Sequence, residues 1–149
     1  MPKESHLRRI CRAEFDCNPK TFLRAAAQRL DAARLLLDSG LFLDAVYLGG
    51  YVVECGLKAL ILHRTPASRR RGACQELTTG ARAHNYDVLT AGLKAKGCPI
   101  PREIQRRLDD LNEEWRTNLR YSGALIPEGE AEESLESVEA VHQWVEGSL

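Results

Sequence analysis

Residues 41–62 read LFLDAVYLGGYVVECGLKALIL, a run in which almost every position is apolar or small. A helix that is apolar round most of its circumference has to be enclosed by other elements. Three charges interrupt the run, Asp44, Glu54 and Lys58, and together with Tyr47 and Tyr51 they recur at steps of three and four residues. All five therefore project along one side of a single helix. A polar stripe on an enclosed helix must be hydrogen-bonded or open onto a cleft, because burying unpaired polar groups is expensive. The run is also long enough to span a bilayer, but Glu54 and Lys58 would then lie deep in hydrocarbon with the pair Gly49-Gly50 at mid-span. The centre of a helical bundle, with no membrane association, is the better fit. Glu54 and Lys58 also have the spacing of an ordinary i,i+4 ion pair, worth about 0.2–0.5 kcal/mol, which competes as a purely structural explanation.

Upstream, Asn18-Pro19 reads as an N-cap with proline at the first helical position, and Phe22, Ala26, Leu30, Ala33 and Leu37 form one apolar stripe that stops at Asp38-Ser39-Gly40. So short a break makes this helix and the 41–62 helix antiparallel neighbours. Before it, Leu7, Ile10 and Phe15 are scattered among basic residues. Residues 1–17 are thus expected to be an arm or short helix, and 18–149 the bundle domain.

Downstream, residues 63–83 lack sustained periodicity and carry Pro66, Gly72, Gly80 and five arginines, among them Arg69, Arg70 and Arg71. That composition predicts a long basic loop, either a solvated insertion or a phosphate-binding segment. His84-Asn85-Tyr86-Asp87 opens a short helix with Val88, Leu89 and Leu93 inward, ended by Gly97. Pro101 opens another, in which Ile104, Leu108, Leu111, Trp115 and Leu119 make the cleanest stripe in the chain. On its adjoining face Asn112, Arg116 and Arg120 stack at i,i+4 spacing, followed by Tyr121 and a stop at Ser122-Gly123. Cations in a last helical turn suit the helix dipole, and two guanidinium groups there also make a fork for phosphate. After Pro127 the final segment has no Lys or Arg, and its inward face is Ala131, Leu135, Val138, Val141 and Val145. No stretch has the alternation of a strand. The fold class is all-α, an up-and-down bundle of four or five helices.

At 149 residues the chain fits one domain, and its formal charge is zero. Basic residues outnumber acidic ones 14 to 8 up to Ala83 and trail 7 to 13 from His84 onward, so nucleic acid would meet a local patch rather than a basic protein. The five cysteines form no CxxC pairs with zinc-finger histidines, so no metal is expected, and no cofactor either. Without an apolar signal segment near the start, the expected setting is cytoplasmic, with reduced thiols.

Four features in order resemble the HEPN domain: the helix pair ARLLLDSGLFLDAVYLGGYVVECGLKALIL, His84 opening HNYDVL, a helix ending in Trp115-Arg116, and Arg120-Tyr121. They are similar to the small prokaryotic branch, with a G-x4-A-x8-E-x2-L-K-A pattern at Gly40, Ala45, Glu54, Leu57, Lys58 and Ala59, a histidine-led short helix and an R-Y pair. The resemblance implies an up-and-down bundle that commonly forms homodimers. Its members are metal-independent RNases, toxins paired with nucleotidyltransferases, or non-catalytic RNA- or nucleotide-binding modules of defence systems. Catalytic members carry R-x4-6-H, and here the chain departs: five residues after Arg116 stands Tyr121, and the next histidine is His142.

Three functions follow as expectations. The first is a dimeric module in which Tyr47, Tyr51, Glu54, Lys58, Asn112, Arg116, Arg120 and Tyr121 bind RNA, a nucleotide or another phosphate-bearing partner. The second is a divergent metal-independent ribonuclease in which His84 or Tyr121 replaces the missing histidine and acts with Arg116, since arginine stabilises charge but does not trade protons near neutrality. The third is a structural or interaction subunit, for example one that engages a nucleotidyltransferase-type antitoxin. All rest on one geometric expectation, that the polar stripe of residues 44–58 meets the guanidinium groups beyond Trp115.

Overall fold

The computed structural model describes residues 4–13 and 16–149. Its regular elements are α1 (His6–Arg12), α2 (Pro19–Asp38), α3 (Phe42–His63), α4 (Arg70–Thr78), α5 (Tyr86–Ala95), α6 (Arg102–Glu114) and α7 (Glu128–Gly147), with 3₁₀ turns at Ala67–Arg69, Ala81–His84 and Thr117–Tyr121. No described residue lies in a strand, and the fold is the all-α bundle expected. Phe15 lies outside the described residues. Leu7 and Ile10 are exposed, and α1 buries nothing.

The α2–α3 hairpin forms as its sequence requires. Asn18 Oδ1 accepts the Lys20 N–H at 3.0 Å beside Pro19 at the first position. Gly40 takes φ +76°, which a residue with a Cβ adopts only under strain, and this lets the Leu41 N–H reach back to the Leu36 carbonyl at 2.9 Å. Phe22, Ala26, Leu30 and Ala33 are buried along α2. α3 is long and apolar enough to cross a membrane, but 78% of its most apolar window is buried inside the fold, which makes it a core helix. α7 covers α3 with Ala131, Leu135, Val138, Val141 and Val145, every one buried, and α6 adds Ile104, Leu108 and Leu111. These residues, with Val52, Val53, Leu57 and Leu60 of α3, belong to the apolar core.

Two expectations are corrected. The basic stretch 63–83 is not a loop, because α4 and two 3₁₀ turns occupy most of it. Cys74 of α4 is buried with Phe22, Ala59 and Leu62, and Leu77 packs against them. Arg70 Nε donates to the carbonyls of Leu62 (3.0 Å) and Thr65 (3.1 Å), so one arginine of the triplet caps α3 rather than waiting for phosphate. The second correction concerns α6, which stops at Glu114. Trp115 (φ −111°, ψ 132°) and Arg116 (φ −143°, ψ 150°) are extended, and the chain resumes as a 3₁₀ turn. Asn112, Arg116 and Arg120 therefore do not stack on one helical face.

Candidate functional site

On α3, Glu54 and Lys58 are 5% and 4% exposed, too deep for an ion pair on a solvated surface. Lys58 Nζ donates to Glu54 Oε1 at 2.6 Å, and the other carboxylate oxygen, Oε2, lies 2.9 Å from His84 Nδ1. A carboxylate facing an ammonium only accepts, so His84 carries its hydrogen on Nδ1. Nε2 then has no partner among the described residues, and the side chain is 43% exposed. Asn85, which bonds the Asp87 and Val88 N–H groups at 2.9 and 3.2 Å, starts α5. His84 thus ends the preceding turn rather than opening the helix, and this places its ring over α3.

One turn earlier on α3, the Tyr47 and Tyr51 hydroxyls are 3.0 Å apart. Burial, the Tyr47 hydroxyl and the Glu54 charge push the Tyr51 phenol up to about 12. Tyr51 meets both His84 and Trp115 edge to face, with centroids 6.4 and 5.1 Å away. Asp44, the fifth member of the stripe, is exposed.

Trp115 explains why α6 ends early. Its ring stacks on Tyr86 at 5.5 Å with planes 5° apart, and its Nε1–H donates to the Tyr47 carbonyl at 2.9 Å. The Tyr86 hydroxyl donates to the Gly50 carbonyl at 2.7 Å, and burial raises its phenol well above the ordinary value. A Cβ on Gly50 would lie 2.0 Å from the indole, so only glycine lets the ring approach α3 this closely. Arg116 then turns back, donating to the carbonyls of Asn112 and of Trp115, the latter at 2.9 Å, at the end of α6. Arg120 lies 4.8 Å over the Tyr121 ring, and Tyr121 with Tyr47 beside it holds the guanidinium above its ordinary value, while Tyr121 is 77% exposed.

A surface cleft of about 270 Å³ opens between these two corners, with His84, Asp87, Asn112, Trp115 and Arg116 in its lining. Asn112 Nδ2 donates to Asp87 Oδ2 at 3.1 Å across it. The expected meeting of the polar stripe with the late arginines is therefore divided. Glu54 is linked to the cleft only through His84, which shares its lining with Arg116. Arg120 and Tyr121 lie on the Tyr47–Tyr51 side, outside the cleft lining, and Lys58 is reserved for Glu54. Asp87 and Tyr86 were missed as site residues, although HNYD already placed both within three residues of His84.

Comparison with known proteins yields one finding, a match to the family model described as the HEPN domain over residues 20–148. No curated protein and no solved structure matches the chain.

Proposed function

The chain belongs to the HEPN domain family, and on that premise we propose that it is a homodimeric module that binds RNA or a nucleotide in the cleft between His84 and Arg116. The observation that carries this reading is that one cleft holds a guanidinium, an imidazole edge, an aromatic wall and a carboxylate acceptor. Arg116 supplies charge-assisted donors for a phosphate. Asp87 would repel bare phosphate but accepts from the N–H or hydroxyl donors of a base or ribose, which favours a nucleotide over an isolated anion. Arg120 and Tyr121, beside the cleft, extend the contact along a single strand by charge and stacking. The setting is the cytoplasm, in a toxin–antitoxin or defence system with a nucleotidyltransferase-type partner.

Titrating labelled single-stranded RNA and ATP against the purified chain tests the reading. Affinity should fall as salt rises, and Arg116→Ala should weaken it about tenfold. A response that does not vary with salt, and is the same in both proteins, would remove it. Failure of binding together with co-purification of a second polypeptide would favour an interaction subunit instead.

A second reading, a metal-independent ribonuclease, is favoured by the Glu54–His84 hydrogen bond. A carboxylate on Nδ1 orients the ring and leaves Nε2 to take the 2′-hydroxyl proton as the 2′ oxygen bonds phosphorus and the P–O5′ bond breaks, the 5′ oxygen leaving with a proton from water, while Arg116 stabilises the charge on the phosphate oxygens. Tyr121 points from the neighbouring turn and is the weaker candidate. RNA incubated with EDTA and the chain should then be cleaved, and His84→Ala should abolish the activity. Equal cleavage by both proteins, or none, would exclude this reading.

A further inference from the structure

Two cysteines come together where the N-terminal arm joins the bundle, in a cluster that shares no residue with the cleft. Cys74 points inward from α4, 1% exposed, among Phe22, Ala59 and Leu62. Cys17 is half-buried against the same group, and its thiol is among the neighbours that raise the Cys74 thiol above its ordinary value. Cys17 has φ +57°, in the left-handed region that residues with a Cβ seldom occupy. Asp16 holds this turn, one oxygen accepting the Asn18 N–H at 3.0 Å and the other the Thr21 hydroxyl at 2.6 Å. A tied turn, and not the exposed α1, therefore holds Cys17 against the cluster that contains Cys74.

We propose that Cys17 and Cys74 form a dithiol site that hydrogen peroxide converts to an intramolecular disulfide, joining the head of α2 to α4. Cys17, the more accessible, attacks one peroxide oxygen as thiolate. The O–O bond breaks, the leaving hydroxide is protonated to water, and Cys17 becomes a sulfenic acid. The Cys74 sulfur then attacks the Cys17 sulfur, the S–O bond breaks, and the Cys74 proton leaves with the hydroxyl as a second water. Two thiols and one peroxide give one disulfide and two waters, a two-electron oxidation. Burial, reinforced by the Cys17 thiol, pushes the Cys74 thiol up to about 12, which suits it to the resolving role and not to first attack. Its proximity compensates for low thiolate content. Closing the ring between residues 17 and 74 restricts the unfolded chain and pins α4, whose far end leads through Ala81–His84 to the cleft.

The test is peptide mapping of the full chain under non-reducing conditions after treatment with one equivalent of hydrogen peroxide. The expected result is a Cys17–Cys74 linked peptide pair, loss of two of the five free thiols, and a melting temperature roughly 10 °C above that of the reduced chain, reversed by dithiothreitol. Cys17→Ser should lose the linked pair and the thermal gain, whereas Cys11→Ser, which removes the exposed competitor, should keep both. Cys17 found as sulfinic acid, linked to Cys11 or linked to a second chain, with Cys74 still a free thiol, would overturn the proposal.

Discussion

On the His84 side of the cleft the polar atoms are anchored in the core, whereas on the Arg116–Tyr121 side the side chains lean mainly on their own short segment. His84 is held by Glu54, and Glu54 by Lys58, both nearly inaccessible to water. Arg116 bonds the carbonyls of Asn112 and Trp115, and Arg120 lies on its sequence neighbour Tyr121. Trp115 is the hinge between the two, core-bound through Tyr86 and the Tyr47 carbonyl. One wall is thus preorganised, and its ordering cost is met on folding. The other can adjust to a bound chain, at an entropic cost paid on binding.

Substitutions sharpen or break this contrast. The largest effect is expected of Glu54→Ala, which strands the Lys58 ammonium inside the protein and should destabilise the fold by about 3–5 kcal/mol in urea unfolding. The double change Glu54→Leu with Lys58→Met should recover most of that loss, because it removes both charges. A cost below about 1 kcal/mol for the single change would mean that water reaches the pair. Gly50→Ala drives a methyl into the indole and should cost about 1–3 kcal/mol, with a shift in tryptophan fluorescence as Trp115 moves. Unchanged emission would show that the ring is not held where the contrast requires it.

Arg116→Ala, on the adaptable wall, should alter stability by less than about 0.5 kcal/mol. Calorimetry beside the RNA titration would separate that small change from the binding loss. The smallest effect lies in alkali. Tyr51 ionises near 10 when unfolded and near 12 when folded, so its contribution is whole below pH 10 and is lost as pH rises from 10 towards 12. The loss should stay under about 1 kcal/mol, since the phenol is partly solvated. Tyr51→Phe should flatten the decline, and an unaltered slope in denaturant titrations would assign it to other groups.

Most of the bundle was legible because its signals are local. Asn18-Pro19 and Gly40 mark the ends of helices, the stripe of α7 buries every residue its spacing selects, and that of α2 all but the half-buried Leu37. The centre of the site was legible in part, since the three- and four-residue steps along α3 did place Glu54 beside Lys58 and Tyr47 beside Tyr51. What failed depended on distant partners. α4 is short and rich in arginine, and it is held by the carbonyls of Leu62 and Thr65 at the end of α3 and by the contact of Cys74 with Phe22, none of which periodicity detects. The end of α6 misled for a subtler reason. Leu119 still packs against the core, so the apolar spacing continues through the break although the helix does not. Tertiary demand for the Trp115 ring overrides helix propensity there.

The missing side chain at position 50 has a consequence for descent. Because the indole at 115 fills the space a methyl would take, enlarging position 50 displaces the ring unless position 115 shrinks with it. Glycine at 50 with tryptophan at 115 is therefore a two-letter signature for recognising, among divergent descendants of this fold, those that still keep the cleft.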